Sequence, residues 1–316
     1  MFSYLTSLAA SLYYGNNIYQ SLKSAASGLQ KNKDLSHVAT VEKIKTALEP
    51  LLSKYHLENN LEIDLVKGVG PAAAIGINLP GLRKNVMAFS PQFYNLDPAA
   101  ALWVAKHELG HIKNNDTLTM GLLIPAITSC AIAAGIQSKI SNAYLAIPAA
   151  LLGSFVGGEV FRILFTRWRE GKADDHANEH SSSEELKGGR RCLLAMQRQQ
   201  VKEREHDFLL GHGLSLSGEV VYAPNGDDNT DLEHPALSSR IEKIEKELER
   251  RGVSFDQEKE KEEEQISRLM DFCEDEIYES KKAAGLTVPI MKPKGAREIK
   301  KWEEEKKQKA LSHEAL

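Results

Sequence analysis

The sequence is poor in cysteine and has no excess of basic residues. Its three cysteines, Cys130, Cys192 and Cys273, lie far apart and form no CxxC pair. This spacing excludes a thiolate zinc cluster and favours a reducing, intracellular environment over a disulfide framework. The 40 Lys and Arg residues are balanced by 44 Asp and Glu residues, which gives a net charge of -4. We therefore expect no nucleic-acid partner.

The first 30 residues lack acidic and basic side chains before Lys23. They also lack the basic start and compact apolar core of a secretory signal. Their apolar residues recur at roughly helical spacing, which predicts an amphipathic N-terminal segment over residues 1–34. We expect this segment to pack on the domain that follows, with a position on a membrane surface as the alternative.

Charge is also absent from residues 117–136, a run of 20 positions. A helix of that length spans about 30 Å, the thickness of the hydrocarbon core of a bilayer. A polar loop at 137–142 leads to a second apolar run, and the two runs predict a transmembrane hairpin over residues 117–165. The alternative is a hairpin buried in a soluble core, because Ala, Gly and Ser dilute both runs.

Basic residues set the expected orientation of this hairpin. The loop between the two runs holds one basic residue, Lys139, whereas both outer flanks are basic: Lys106, Lys113, Arg167, Arg169 and Lys172. By the positive-inside tendency, the flanks face the cytosol. We therefore expect an integral membrane protein with two spans, in contact with the lipid bilayer, whose remaining chain lies on the cytosolic side.

The rest of the chain predicts a mainly helical fold with a small sheet. Apolar positions follow helical spacing over residues 35–57, and short strands are predicted at 61–66, 72–77 and 85–89. We expect strand 85–89 to form the edge of this sheet. Residues 251–316 are rich in Glu and Lys, and they predict a long solvated helix or coiled-coil arm that could bind a partner or a second copy, with a floppy tail as the alternative.

The strongest chemical signal is the stretch His107-Glu108-Leu109-Gly110-His111. Pro98 suits the first turn of a helix and Asp97 can cap it, so this stretch is predicted to be helical. Residues at i and i+4 share a helix face, so the two histidines can point at one metal ion. Glu108 is then placed to hold a water molecule, which is the arrangement that a zinc peptidase needs.

A zinc site of this kind needs a third protein ligand. Glu170 is favoured, because the hairpin returns its helix to the side of the histidines, 59 residues after His111. Asp174 lies one turn further and could accept a hydrogen bond from a ligating histidine. The pair His176 and His180 has the same i, i+4 spacing and remains a competing ligand set.

Three ordered motifs carry a family resemblance. His-Glu-Leu-Gly-His is followed by two apolar runs, then by Arg-Glu-x-x-Ala-Asp at 169–174, then by His-Pro-x-x-x-x-Arg-Ile at 234–241. This order resembles the HtpX-type and CAAX prenyl protease family of membrane zinc metallopeptidases, over roughly residues 72–245. The prenyl proteases have many more spans than this chain can supply, so the resemblance implies proteolysis of membrane or misfolded proteins rather than of prenylated peptides.

The resemblance implies a zincin-like, more narrowly gluzincin-like, domain interrupted by the hairpin. It implies one zinc ion per chain, held by His107, His111 and Glu170, with Glu108 as the general base. It also implies that the motif at 234–240 lies near the substrate cleft. Either His234 or Arg240 would stabilise the oxyanion, and the motif does not choose between them.

The sequence therefore predicts a membrane-associated zinc endopeptidase that cleaves protein or peptide substrates. We expect three parts: the N-terminal segment 1–34, a peptidase domain with its hairpin at 35–250, and the charged tail 251–316. Two alternatives stay open. One is a membrane-anchored interaction protein that retains the zincin-like fold, and the other is a soluble zinc peptidase in which the hairpin is only core.

Overall fold

The computed structural model describes residues 35–65, 72–75, 85–116, 119, 124–140, 142–206, 221–253 and 259–283. The predicted N-terminal segment 1–34 and the tail beyond residue 283 lie outside the described residues. Within them, helices dominate and a small sheet is present. The predicted fold class, mainly α with a small β-sheet, is confirmed.

The sheet has three strands, β1 (Leu61–Leu65), β2 (Ala72–Ile75) and β3 (Asn85–Phe89), in the order β1-β3-β2. Strand β3 is parallel to β1 and antiparallel to β2. The prediction that residues 85–89 form the edge is therefore wrong, because they are the central strand. The composition of the strands explains this order. The central strand β3 carries no charged residue, whereas β1 at the edge alternates apolar residues with Glu62 and Asp64.

Helices α1 (Leu35–Lys54) and α3 (Pro98–Lys113) pack on this sheet, and the short helix α2 (Pro91–Leu96) lies between β3 and α3 in the chain. Apolar side chains of α1, the sheet and α3 form one buried cluster, which includes Leu48, Met87 and Leu109. The sheet thus supports the back of α3. The face of α3 that carries the histidines is left to meet other elements.

A hairpin of helices α4 (Ile124–Lys139) and α5 (Ala143–His180) follows α3. The two helices pack along each other, and Gly153 and Gly157 of α5 leave space for Ile132 and Ile136 of α4. Helix α5 runs without interruption from the second apolar run to Glu170 and beyond. The metal-ligand candidate and the apolar run therefore belong to one rigid element.

Among the described residues, α5 is the one helix long and apolar enough to cross a membrane by length and composition. The described part of α4 has 16 residues, which span about 24 Å, and residues 117, 118 and 120–123 lie outside the description. Among the described residues, one helix of the two predicted spans therefore qualifies as a candidate span. Large apolar side chains of the hairpin point outward: Ile127, Tyr144, Leu145, Leu152, Val156, Val160, Phe161, Leu164 and Trp168.

Three further helices, α6 (Ser183–His206), α7 (Leu237–Arg250) and α8 (Lys259–Ala283), complete the described fold. Helix α8 buries Ile266, Leu269 and Phe272 against the core, and the Phe272 ring stacks on Phe93 at 5.6 Å. The prediction of a solvated arm is therefore wrong for α8. Its three buried apolar residues lie three positions apart and form one narrow stripe. The many Glu and Lys residues around them led to the prediction of a solvated helix.

Candidate metal centre

Helix α3 is fixed at its start so that the histidines come to lie one turn apart. The Asp97 carboxylate accepts a hydrogen bond from the Ala100 amide at 3.0 Å and caps the helix. Arg191 of α6 in turn donates to both oxygens of this buried carboxylate, at 2.8 and 3.2 Å. The structure thus confirms the prediction that Asp97 caps this helix.

Three side chains converge on one point between α3 and α5. The Nε2 atoms of His107 and His111 are 3.1 Å apart, and each lies 3.3 Å from an oxygen of Glu170. Ligand atoms at about 2.0–2.1 Å from a tetrahedral zinc ion are separated by about 3.3–3.4 Å. These three residues therefore lie close enough together to bind a metal ion.

The other ring nitrogen of each histidine faces a carboxylate. His107 Nδ1 lies 3.0 Å from Asp174 Oδ1, and His111 Nδ1 lies 2.8 Å from Asp116 Oδ2. A carboxylate accepts the Nδ1 proton, which leaves the Nε2 lone pairs aimed at each other and at Glu170. Converging lone pairs repel one another unless a cation lies between them, so the chemistry of these groups fits a bound metal.

Each of these carboxylates is held by a guanidinium. Arg240 of α7 donates to both oxygens of Asp174, at 2.8 and 2.7 Å. Arg169, the residue before Glu170, donates to Asp116 through Nε and Nη2, and also to the Asn114 carbonyl at 3.0 Å. Both histidines are thus oriented by an acid that is itself fixed by an arginine.

The sequence prediction included Asp174 but missed Asp116. The chain leaves α3 at Lys113, and Asn115 adopts a positive φ of 54°, a conformation that Asn tolerates well. This turn brings Asp116 back beside His111. Two features of the sequence could have pointed to this support for His111. Asp116 is a carboxylate five residues after His111, and Arg169, which binds it, directly precedes Glu170.

The same carboxylates raise the pKa of both histidines. Burial alone would lower the pKa of His111, but hydrogen bonds to Asp116 and Glu170 raise it to about 10. Burial also opposes the rise at His107, where hydrogen bonds to Asp174 and Glu170 again raise the pKa. The negative potential that favours a proton on each ring favours a bound cation even more.

His234 and Arg240, the two candidates for the oxyanion, have different surroundings. His234 Nε2 lies 3.8 Å from Glu170 Oε2, and its side chain is 45% exposed in the cleft. Arg240 is only 9% exposed, and its Nε and Nη2 atoms both donate to Asp174. The structure therefore places His234 in the cleft, whereas Arg240 supports Asp174.

His234 is itself oriented by Asp231. Its Nδ1 atom lies 2.9 Å from Asp231 Oδ2, and its backbone amide donates to Asp231 Oδ1 at 3.0 Å. This hydrogen bond to Asp231 raises the pKa of His234 against the opposing effect of burial, and the charge of Glu170 adds to the rise. A protonated imidazole would present an N–H to the cleft through Nε2.

The competing ligand pair lies elsewhere. His176 Nδ1 donates to the Lys106 carbonyl at 2.9 Å, and its Nε2 atom lies 2.9 Å from the Tyr55 hydroxyl. His180 Nδ1 contacts the His176 carbonyl at 2.9 Å. Six residues of helix turn His176 well away from the face of Glu170. The structure does not bring His176 and His180 to the candidate metal centre.

The three ligand candidates open into a cleft of about 360 Å³ that Glu108 also lines. Small side chains of the edge strand β2 form one wall, and residues of α5 form another. The full lining is Ala72, Ala74, His107, Glu108, His111, Asp116, Thr166, Arg169, Glu170 and His234. The edge strand beside the site is thus β2 rather than the predicted segment 85–89.

Comparison with known proteins gives two matches. The family described as peptidase family M48 matches residues 39–248. Protease HtpX of Haemophilus influenzae (strain PittEE) is 28% identical over 166 residues, which cover 48% of this chain and 54% of that protein. The chain thus spans about half the length of the curated relative it matches. No solved structure matches the chain.

Proposed function

Because this chain belongs to peptidase family M48, we propose that it is a metallopeptidase, and more narrowly a zinc-dependent endopeptidase that acts at a membrane surface. The resemblance to HtpX-type peptidases that the motifs indicated is confirmed. The observation that carries the proposal is the convergence of His107, His111 and Glu170, with both Nδ1 atoms already bound to carboxylates.

Zinc is the metal that this ligand set suits best. Two imidazole nitrogens and one carboxylate leave a fourth position of a tetrahedral site for water or substrate, as catalytic zinc sites do. A bound zinc ion would polarise the substrate carbonyl and lower the pKa of water to about 7. The residues of the chain supply the remaining steps.

Glu108 is the proposed general base. It lines the cleft beside His111, where its carboxylate can take the proton of the attacking water and deliver it to the leaving amine. His234, held by Asp231, is the proposed hydrogen-bond donor to the oxyanion that forms on the substrate carbonyl. Loss of one such donor costs about 10²–10³ in rate in other hydrolases.

Strand β2 is the proposed binding site for the substrate backbone. Among the described strands it pairs with β3 on one side, and its residues Ala72 and Ala74 line the cleft. An extended peptide could add to its other edge through main-chain hydrogen bonds, with its scissile bond facing Glu108. The small alanine side chains leave room in the cleft for bulky substrate residues.

The hairpin supports the proposal of membrane association. A soluble core would bury the large apolar side chains that α5 exposes, such as Leu152, Val156 and Leu164. Glu170 follows Leu164 by six residues, which is about 9 Å along the helix, and the half-exposed Trp168 lies between them. We therefore propose that the cleft lies at the bilayer surface on the cytosolic side and receives segments of membrane or misfolded proteins.

The test is proteolysis by the full-length protein purified in detergent. We expect casein cleavage that stops when a chelator removes the metal and returns when zinc is added. The Glu108→Gln variant should keep its zinc and lose cleavage by several orders of magnitude, because the water has lost its base. Normal turnover by zinc-loaded Glu108→Gln would contradict the proposed mechanism. Release of the protein from membranes by carbonate would contradict the proposed transmembrane hairpin.

A further inference from the structure

His234 and the proposed metal ligands come from different parts of the chain. The ligands belong to α3 and α5, whereas His234 lies in the segment 221–236 between α6 and α7. An oxyanion donor must be placed to within a fraction of an ångström to act. The position of His234 therefore depends on how this segment is attached to α5.

A local turn fixes the His234 ring within its own segment. Asp231 Oδ1 accepts hydrogen bonds from the amides of Glu233 and His234, both at 3.0 Å, and the carboxylate also binds the ring. These contacts close a tight turn over four residues. They set the direction of the ring, but they do not attach the turn to the metal ligands.

An ion pair makes this attachment. Arg162 of α5 donates through Nη2 to Glu233 Oε1 at 2.6 Å, and Glu233 directly precedes His234. Arg162 lies eight residues before Glu170 in the same helix, about 12 Å along its axis. One rigid element therefore carries both a metal ligand and the residue that binds the His234 turn.

We infer that Arg162 and Glu233 are positioning residues that hold His234 over the cleft, an inference that rests on the proposed peptidase function. Their ion pair acts through His234 and makes no contact with substrate itself. Through it, the placement of the oxyanion donor depends on α5, the helix proposed to enter the membrane.

The surroundings of Arg162 strengthen this ion pair. Surface ion pairs in water contribute little, because solvent screens them and both side chains lose freedom. The Arg162 side chain is instead only 27% exposed and that of Glu233 40%, so both are partly withdrawn from solvent. Arg162 also lies near the end of the apolar run of α5, where lipid would lower the local dielectric if the helix enters a membrane as proposed, and a long arginine side chain extends toward the interface to reach a partner. Leu232, which precedes Glu233, is an exposed apolar residue.

The test is steady-state cleavage of a fluorogenic peptide by the full-length, zinc-loaded protein. We expect Glu233→Ala to lower kcat by about ten- to a hundredfold with KM little changed, because misplacement of a transition-state donor affects the chemical step. Arg162→Gln should have the same effect. Glu263→Ala is the matched control, since the Arg198–Glu263 ion pair has the same 2.6 Å contact between α6 and α8, away from the cleft. We expect it to leave kcat unchanged.

A double-mutant cycle separates positioning of His234 from a general structural role. His234→Ala should lower kcat by about 10²–10³. In that background, Glu233→Ala should cost nothing further, because the residue it positions is gone. An unchanged kcat for Glu233→Ala in the wild-type background, or an equal loss in both backgrounds, would overturn the inference.

Hydrogen exchange provides a readout that needs neither metal nor activity. Glu233→Ala should speed exchange of the amides at 231–234 and leave those of α3 at 99–113 unchanged. Unchanged exchange at 231–234 would also overturn the inference. An inactive wild-type protein would contradict the proposed function, and the exchange experiment would still decide whether Arg162 and Glu233 hold the turn.

Discussion

Each of the two imidazoles at the candidate metal centre is oriented by its own acid and arginine. His107 is bound to Asp174 and Arg240, and His111 to Asp116 and Arg169. Asp174, Arg240 and Asp116 are all buried, and Asp116 and Arg169 also line the cleft. Orientation of the ring by a hydrogen bond at Nδ1 makes Nε2 a better metal ligand.

Asp116→Asn should weaken zinc binding by about 10- to 100-fold, because an amide polarises the His111 ring less than a carboxylate does. The measurement is zinc competition with a chromogenic chelator. Asp175→Asn is the matched control, since Asp175 lies next to Asp174 but pairs with Lys243 on the exposed side of α5. Equal zinc affinity in Asp116→Asn and wild type would show that Asp116 does not support the ligand.

The hydrogen bond between Asp231 and His234 predicts a pH effect. Asp231 raises the pKa of His234, so the imidazole stays protonated and keeps its Nε2 proton to higher pH. Above that pKa the remaining proton lies on Nδ1 against Asp231, and the donor to the cleft is lost. Asp231→Asn lowers the pKa, so the fall of kcat at alkaline pH should begin at lower pH than in wild type. If kcat of Asp231→Asn begins to fall at the same pH as in wild type, or at a higher pH, the result would contradict the role of His234.

At the scale of elements, close contact between α3 and α6 holds the start of the histidine helix. A Cβ atom at Gly188 of α6 would overlap the backbone of Ala99 and Ala100. Next to it, Gly189 packs against the ring of Trp103, whose indole N–H donates to Asn178 of α5 at 2.9 Å. Three helices thus meet around the first two turns of α3.

Gly188→Ala should therefore destabilise the protein by about 1–3 kcal/mol, because backbone atoms cannot move aside as a flexible side chain can. The midpoint of thermal unfolding, followed by circular dichroism, should fall by several degrees. Gly135→Ala of α4 is the control, since a Cβ atom there meets nothing within 4 Å. We expect that change to be neutral or slightly stabilising through helix propensity. Equal midpoints for the two variants would contradict the close contact.

The sequence predicted those elements whose signal is local. The cap at Asp97, the three strands and the i, i+4 histidines could be recognised because each depends on neighbours in the chain. The strand order could not, because parallel pairing of β1 with β3 depends on the whole sheet. The burial of α8 was missed for the same reason. Its narrow apolar stripe is buried by α6 and Phe93, which are distant in the sequence.

The candidate site shows the same limit. Glu170 was predicted because the hairpin implied the return of its helix, and Asp174 followed by helical spacing. Asp116 depends on a positive φ at Asn115, and the support of Asp174 by Arg240 depends on where α7 packs. Spacing along the chain marks Asp116 as a carboxylate near the motif, but it predicts neither the turn at Asn115 nor the packing of α7.

At the scale of the whole molecule, helix α5 joins the proposed membrane span to the metal centre. It carries outward apolar residues in its first half, then Arg162, Glu170 and Asp174. Because the helix is continuous, anchoring its first half in a bilayer would fix the height of the cleft above the surface. The same element would thereby set which part of a substrate reaches the cleft.

The central claim is that His107, His111 and Glu170 hold one zinc ion. The most direct measurement is the zinc content per chain, by mass spectrometry of the metal, in Glu170→Gln and Glu108→Gln purified side by side. We predict about one zinc in Glu108→Gln and strong depletion in Glu170→Gln, because Glu170 is the proposed ligand and Glu108 is not. Full zinc in Glu170→Gln, or loss of zinc in Glu108→Gln, would contradict the proposed ligand set.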